Sequence, residues 1–272
     1  MRGLLSFSVY THLHIALGAA LLTASSFWQW GRPVEGWSLP LAFFACWWIY
    51  ALHRIYSNRS DKMKAERQEI LQKYRAWNWG LLLLLPGVLL YLASQLPFAL
   101  LQWLPLPALL SLAYVLPIYK GWRLRDIPWL KIFLIAGVWS FVATVLPALE
   151  LGRPISLYLF FERALFILLI TLPFDLRDLE QEAKAGVPTL VSSLGEKRSR
   201  YLIAALALIW WGMQAYTTPF FMLLASSICL LLIFVLLSRT HAQQNDFFFS
   251  FYWDGLLILY PLLIFLFKNL RS

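Results

Sequence analysis

PISLYLFFERALFILLITLPFDLRDLEQEAKAGVPTL, residues 154–190, changes character once, at Asp175. Up to Phe174 the run is apolar apart from the neighbours Glu162 and Arg163. One bilayer crossing takes about 20 such residues, so 154–174 reads as a transmembrane helix. Beyond it Asp175, Asp178 and Glu182 fall at i, i+3 and i+7, a spacing that stacks three carboxylates on one helical face.

The same rule applied outward divides the whole chain. Uncharged runs cover residues 3–31, 36–53, 76–119, 132–149, 201–238 and 247–267. The run 76–119 is broken by Pro97, Pro105 and Pro107, and 201–238 by Thr217-Thr218-Pro219. Each of these two is long enough for a pair of helices. The expectation is an all-α polytopic membrane protein, nine transmembrane helices in one bundle around a central cavity, with residues 1–272 forming a single membrane-embedded domain. Segment 62–77 places Met63, Ile70, Leu71, Tyr74 and Trp77 on one face and reads as a short amphipathic surface helix.

Composition agrees. Of 272 residues 60% are hydrophobic and 14% charged, whereas soluble domains sit near a quarter charged. This excludes a disordered chain, a disulfide scaffold and an ordinary cytosolic enzyme. Cys46 and Cys229 both lie inside apolar runs and read as packing residues. The first span is too long for a cleaved signal peptide and lacks a small-residue cleavage site.

Charge then sets direction. The amino terminus and the loops after spans two, four, six and eight carry 18 of the 23 Lys and Arg residues. Positive charge marks the cytoplasmic face, so the amino terminus is expected inside and the carboxyl terminus outside, in an inner membrane of bacterial type. This sidedness accounts for the basic excess and leaves no need for a nucleic-acid partner. No Walker-type loop, Cys/His metal cluster or nucleophile elbow occurs.

The three acids admit two readings. Stacked carboxylates at a membrane boundary repel one another unless a cation lies between them. Hard oxygen ligands suit Mg²⁺, which keeps waters and bridges to substrate phosphates. The same pattern also arises at a solvated helix end where Arg177 and Lys184 satisfy the acids.

The residues after the acids add to the first reading. Asp-x-x-Asp-x-x-x-acid continues into Ala-Gly-x-x-Thr-Leu, with a second glycine nine residues after the first (Gly186, Thr189, Leu190, Gly195). This order resembles the second aspartate-rich motif of the UbiA superfamily, intramembrane prenyltransferases of nine helices that act on polyprenyl diphosphates through Mg²⁺. Tyr119-Lys120 is similar to the family's Tyr-rich, Lys-containing loop after span four. The resemblance implies Asp175, Asp178 and Glu182 as catalytic Mg²⁺ ligands.

At the end of span two the chain departs from that family. The expected Asn-Asp-x-x-Asp-x-x-x-Asp is replaced by HRIYSNRSD, residues 53–61. His53 takes the Asn position, Arg54 and Ser57 take two Asp positions, and Asp61 alone keeps its acid. A guanidinium repels Mg²⁺ but holds phosphate bidentately. The resemblance therefore implies a diphosphate contacted by Arg54, Lys120, Arg123, His53 and Asp61. It leaves three outcomes open: an active enzyme with one metal site, an altered reaction on the same lipid, or a lipid-binding or scaffold protein without catalysis. For an active enzyme the resemblance implies charge neutralisation of the diphosphate and ionisation of the allylic C–O bond. The cation is shielded by aromatic faces and attacked by a lipid-soluble acceptor, while the tail lies between helices among membrane lipids.

Asp254 falls within span nine, about 12 Å from its inner end at 1.5 Å per residue. It reads either as a cavity-facing acid or as a hydrogen-bonded structural acid near Gly255. Glu162 and Arg163, as i, i+1 neighbours, are expected to need separate partners. His12 and His14 are expected on different sides of their helix.

Overall fold

The computed structural model describes residues 2–57, 69, 72–118, 121–185, 189–217, 219–241 and 244–270. Among these there is no β-strand. The helices in chain order are α1 Arg2–Tyr10, α2 Leu13–Gln29, α3 Ser38–Ser57, α4 Arg75–Ser94, α5 Phe98–Val115, α6 Leu130–Glu150, α7 Leu157–Ala185, α8 Leu190–Leu194, α9 Glu196–Thr217, α10 Phe220–Arg239 and α11 Asp246–Asn269. Among the described residues six segments are long and apolar enough to cross a membrane: α4, α5, α6, Leu157–Leu179 of α7, α10 and α11. The chain is an integral membrane protein. The other three runs read as crossings are helical too. Of these α2 is short, with 17 residues, and α9 opens on Glu196, Lys197, Arg198 and Arg200.

Two details differ from the sequence expectation. The run 3–31 is not one helix. It breaks where the Thr11 hydroxyl donates back to the Phe7 carbonyl (2.7 Å) and His12 adopts a left-handed φ of 62°. Trp77 belongs to the first turn of α4 rather than to a surface helix, and packs edge-on against Phe7 of α1 (5.3 Å). Most of the remaining surface-helix segment, 62–68 and 70–71, lies outside the described residues.

The helices close on themselves. α2 packs on α3 and α11, α11 on α10, α10 on α9, α9 on α7, α7 on α6, and a turn of α6 returns to α2. α4 covers α3, and α5 bridges α3 and α6. α2 and α11 pack tightly at Gly18 of α2, where a Cβ would lie 2.8 Å from Leu257 Cβ of α11. Gly18→Ala is therefore expected to lower stability by about 1–3 kcal/mol, the range for an overpacked interior. Thermal unfolding in detergent reads this directly, and an unchanged midpoint would contradict the close packing.

α6 and α11 each contain a π-turn, Phe141–Val145 and Phe249–Trp253. A π-turn displaces a carbonyl from the helical ladder. In α6 the Ala143 carbonyl, whose i+4 residue Pro147 has no N–H, accepts from the Ser26 hydroxyl of α2 (2.7 Å). In α11 the π-turn ends at Asp254, and Gly255 follows because a Cβ there would sit 2.3 Å from the Phe251 carbonyl oxygen.

Glu162 and Arg163 form a buried ion pair with each other, contrary to the expectation for adjacent helical residues. Long side chains can wrap around the helix when neighbours hold both ends. Arg163 donates to Ser25 and Gln29 of α2 (3.0 Å each) and lies 5.4 Å over the Tyr260 ring of α11. Glu162 accepts from Trp210 (2.7 Å) and Gln214 of α9 and from Tyr260 (3.4 Å). One network thus ties α2, α7, α9 and α11.

Candidate active site

The C-terminal end of α7 carries the predicted acids, of which Asp175 is buried and Asp178 half-buried. Asp175 is 1% exposed. Its Oδ1 lies 2.6 Å from Lys131 Nζ at the start of α6. Its Oδ2 is buried and has no hydrogen-bond partner among the described residues. Asp178 accepts two parallel bonds of 2.8 Å from Arg177 Nε and Nη2. Arg177 also reaches Asp246 of α11 (3.3 Å) and lies over the rings of Phe174 (5.1 Å) and Phe249 (5.4 Å). Glu182 falls within α7, but its side chain is outside what the structure describes.

At the end of α3, two arginine–histidine pairs form. Arg54 Nε donates to His12 Nε2 (2.7 Å), and Arg125, from the segment between α5 and α6, donates to His53 Nε2. Arginine has no acceptor atom, so each imidazole nitrogen accepts. The left-handed break at His12 turns that ring toward α3, where it meets Tyr50 (5.2 Å), while His14 stacks on Phe251 of α11 (5.6 Å).

The remaining predicted residues fall elsewhere. Arg123 is committed to its own loop: Nε and Nη2 donate to Asp126 (3.0 and 2.9 Å), and its backbone N–H donates to the same carboxylate (3.1 Å). Burial pushes the Asp126 carboxyl up, but these bonds to Arg123 outweigh it and hold it below the usual carboxylate range. Lys120 and Asp61 lie outside the described residues. Asp254 of α11 is half-buried and within electrostatic reach of Tyr50 on α3 and Arg177 on α7.

Lys131, Arg125 and Tyr50 escape sequence reasoning. In the sequence Lys131 and Arg125 register only as charges that set topology. Their position beside span five, whose helix packs on α7, is the available signal.

The donor chemistry of these two ends differs. A buried carboxylate oxygen without a donor, on Asp175, suits a hard cation. Carboxylate oxygens carry two lone pairs each, so Asp178 can ligate beyond its bonds to Arg177. The donors at the α7 end are thus of the kind a hard cation takes. The α3 end, with Arg54 and His53 bonded to His12 and Arg125, does not fit a second. Among the described residues no three His, Cys, Asp or Glu side chains cluster closely enough to hold a metal. Of the three carboxylates expected from the sequence, Asp175 and Asp178 are described.

Solved structures share the fold. A UbiA homolog from Archaeoglobus fulgidus bound to GPP and Mg²⁺ is 13% identical with a TM-score of 0.68, over 97% of this chain and 99% of that one. An apo UbiA homolog from Aeropyrum pernix K1 is 13% identical with a TM-score of 0.69, over 95% and 98%. A structure on the biosynthesis of digeranylgeranylglyceryl phosphate synthase in membranes is 17% identical with a TM-score of 0.55, over 99% and 98%. None of the curated proteins matches the chain by sequence. The UbiA prenyltransferase family profile, however, matches residues 16–255, nearly the whole bundle and both helix ends just described, so the chain belongs to the UbiA prenyltransferase family.

Proposed function

We propose that this protein transfers a prenyl group from a polyprenyl diphosphate to a lipid-soluble acceptor, as one membrane-embedded domain of nine crossings with its amino terminus in the cytoplasm. The observation that carries the reading is Asp175, a buried carboxylate at the end of a transmembrane helix with one oxygen on Lys131 and the other without a donor among the described residues. The A. fulgidus homolog binds GPP and Mg²⁺ on the same fold, which supports the substrate class. The basic inner loops support the orientation.

Asp175 and Asp178 would hold one Mg²⁺, which supplies charge neutralisation of the diphosphate leaving group. The chain's own residues do the rest. Lys131 fixes the Asp175 carboxylate in place. Arg177 orients Asp178 through two parallel bonds. Arg54 offers a guanidinium to the diphosphate from the end of α3. The rings of Phe174 and Phe249 present π faces toward the positive charge of Arg177. The helix bundle keeps water from the allylic cation.

A second reading, lipid binding without turnover, is favoured by Arg54 and His53 standing where a carboxylate and its amide neighbour are expected. One assay separates the two. Purified protein incubated with a labelled prenyl diphosphate and lipid-soluble acceptors should release diphosphate with Mg²⁺ and cease on chelation. Binding with no release under any acceptor would favour the second reading.

A further inference from the structure

We propose that Asp254 of α11 binds a hydroxyl of the prenyl acceptor and takes the proton that this hydroxyl loses on transfer, while His14 of α2 holds a second polar group of the same molecule. The proposal rests on the reading of this protein as a prenyltransferase, and deepens it.

Asp254 is used neither by the α7 acids nor by the buried Glu162–Arg163 pair. An acid inside a bilayer crossing is costly and faces a partner or a cavity. Its charge reaches Cys46 and Tyr50 on α3 and Arg177 on α7. A side chain felt on two other helices is turned into the bundle rather than toward lipid. Among the described residues no donor bonds to its carboxylate, and Arg177 is committed to Asp178 and Asp246. Of the two sequence readings of Asp254, the structural acid held by hydrogen bonds therefore gives way to the cavity-facing one. An ionised carboxylate accepts hydrogen bonds and donates none, so it suits an O–H.

His14 lies at the same depth. α2 and α11 run side by side, with Gly18 against Leu257 and the His14 ring stacked on Phe251 (5.6 Å), one turn before Asp254. His14 Nε2 is buried and has no hydrogen-bond partner among the described residues. An imidazole nitrogen donates or accepts according to its tautomer. Phe251 beside His14 and Tyr50 within reach of Asp254 add aromatic surface. Two polar groups set among rings select a molecule with two polar groups on an apolar body.

The depth suits the reaction. Arg177 reaches Asp246 (3.3 Å), which sets the first turn of α11 level with the α7 acids. Asp254 follows about 12 Å further in at 1.5 Å per residue. A donor whose diphosphate lies at the α7 acids therefore points its allylic carbon toward Asp254. There the allylic C–O bond breaks with its electron pair on the diphosphate. A lone pair of the acceptor oxygen forms the new C–O bond. The O–H proton passes to the Asp254 carboxylate, and the O–H electron pair stays on oxygen.

The test uses 4-hexylresorcinol, a lipid-soluble ring with two hydroxyls, titrated into the purified full-length protein in detergent and followed by calorimetry against empty micelles. Saturable binding is expected, with the dimethyl ether of the same molecule at least tenfold weaker, because the ether has no O–H to donate. Asp254→Asn keeps the shape and should weaken binding of the diol by about tenfold, the difference between a charge-assisted and a neutral hydrogen bond. His14→Leu strands no partner among the described residues, so it supplies a folded second variant, also expected to bind the diol more weakly. With a labelled prenyl diphosphate and Mg²⁺, Asp254→Asn should slow transfer to the diol by about 10²-fold or more, the scale of a lost general base. The loss should shrink for a ring-fluorinated diol, whose more acidic hydroxyls need less help, whereas a structural lesion would slow both acceptors alike. Equal binding of diol and ether, wild-type affinity in the folded variants, or equal slowing of both acceptors would overturn the proposal. A protein that binds the diol through Asp254 but never transfers a prenyl group retains the hydroxyl site and loses the transferase reading. A protein that transfers normally with Asp254→Asn does the reverse.

Discussion

Replacing Asp175 and Asp178 together by alanine is expected to lower diphosphate release by about 10³-fold or more, the scale of losing a principal electrostatic stabiliser of a leaving group. The two carboxylates are the described groups at this end of α7 able to offer oxygen to Mg²⁺. Their removal also leaves Lys131 and Arg177 as excess positive charge, so added Mg²⁺ should not rescue the variant. Asp175→Asn separates ligation from packing, because it keeps the shape and removes the charge. A folded Asp175→Asn protein should show slower release with its thermal midpoint shifted far less than its rate. Unchanged turnover in the folded double variant would remove the α7 acids from the chemistry.

The largest effect on stability is expected away from the site. Glu162→Ala leaves Arg163 buried without its carboxylate, and also strips an acceptor from Trp210, Gln214 and Tyr260. Breaking one side of a buried pair costs about 3–5 kcal/mol. Replacing both members by apolar residues of similar volume, Glu162→Leu with Arg163→Met, should recover most of that loss, since no charge is then stranded. Chemical or thermal unfolding in micelles compares the three proteins. A Glu162→Ala protein as stable as wild type would mean that the pair does not hold α2, α7, α9 and α11 together.

Much of the fold is legible in the sequence because a membrane imposes a simple rule: crossings must be long, apolar and hydrogen-bonded within themselves. The runs around Leu130–Glu150, Phe220–Arg239 and Asp246–Asn269 obey it, and their ends lie close to those of the uncharged stretches. The break at His12 is not legible, because it depends on a single left-handed residue in an otherwise apolar run. The acids at 175 and 178 are legible through their period, yet their partners are not. Lys131 reaches Asp175 across 44 residues of chain, a contact set by α6 packing on α7 and by nothing local. Arg123 and Arg125 illustrate the same limit. Two residues apart in one loop, they look equivalent as sequence. Asp126, three residues after Arg123, closes the loop on it and leaves Arg125 to face His53. The pairing of Glu162 with Arg163 escapes a rule about helix faces because that rule concerns where side chains start, whereas long chains bond where they end.

Anomalous scattering locates a divalent ion at the end of α7 directly. Crystals of the protein grown with Mn²⁺ and a non-hydrolysable prenyl diphosphate should show an anomalous peak about 2.0–2.2 Å from the buried Asp175 Oδ2, near hard-cation coordination distance, with diphosphate density on its far side. A diphosphate bound with no metal peak at Asp175, or a peak lying among other residues while Asp175 stays closed on Lys131, would contradict the account.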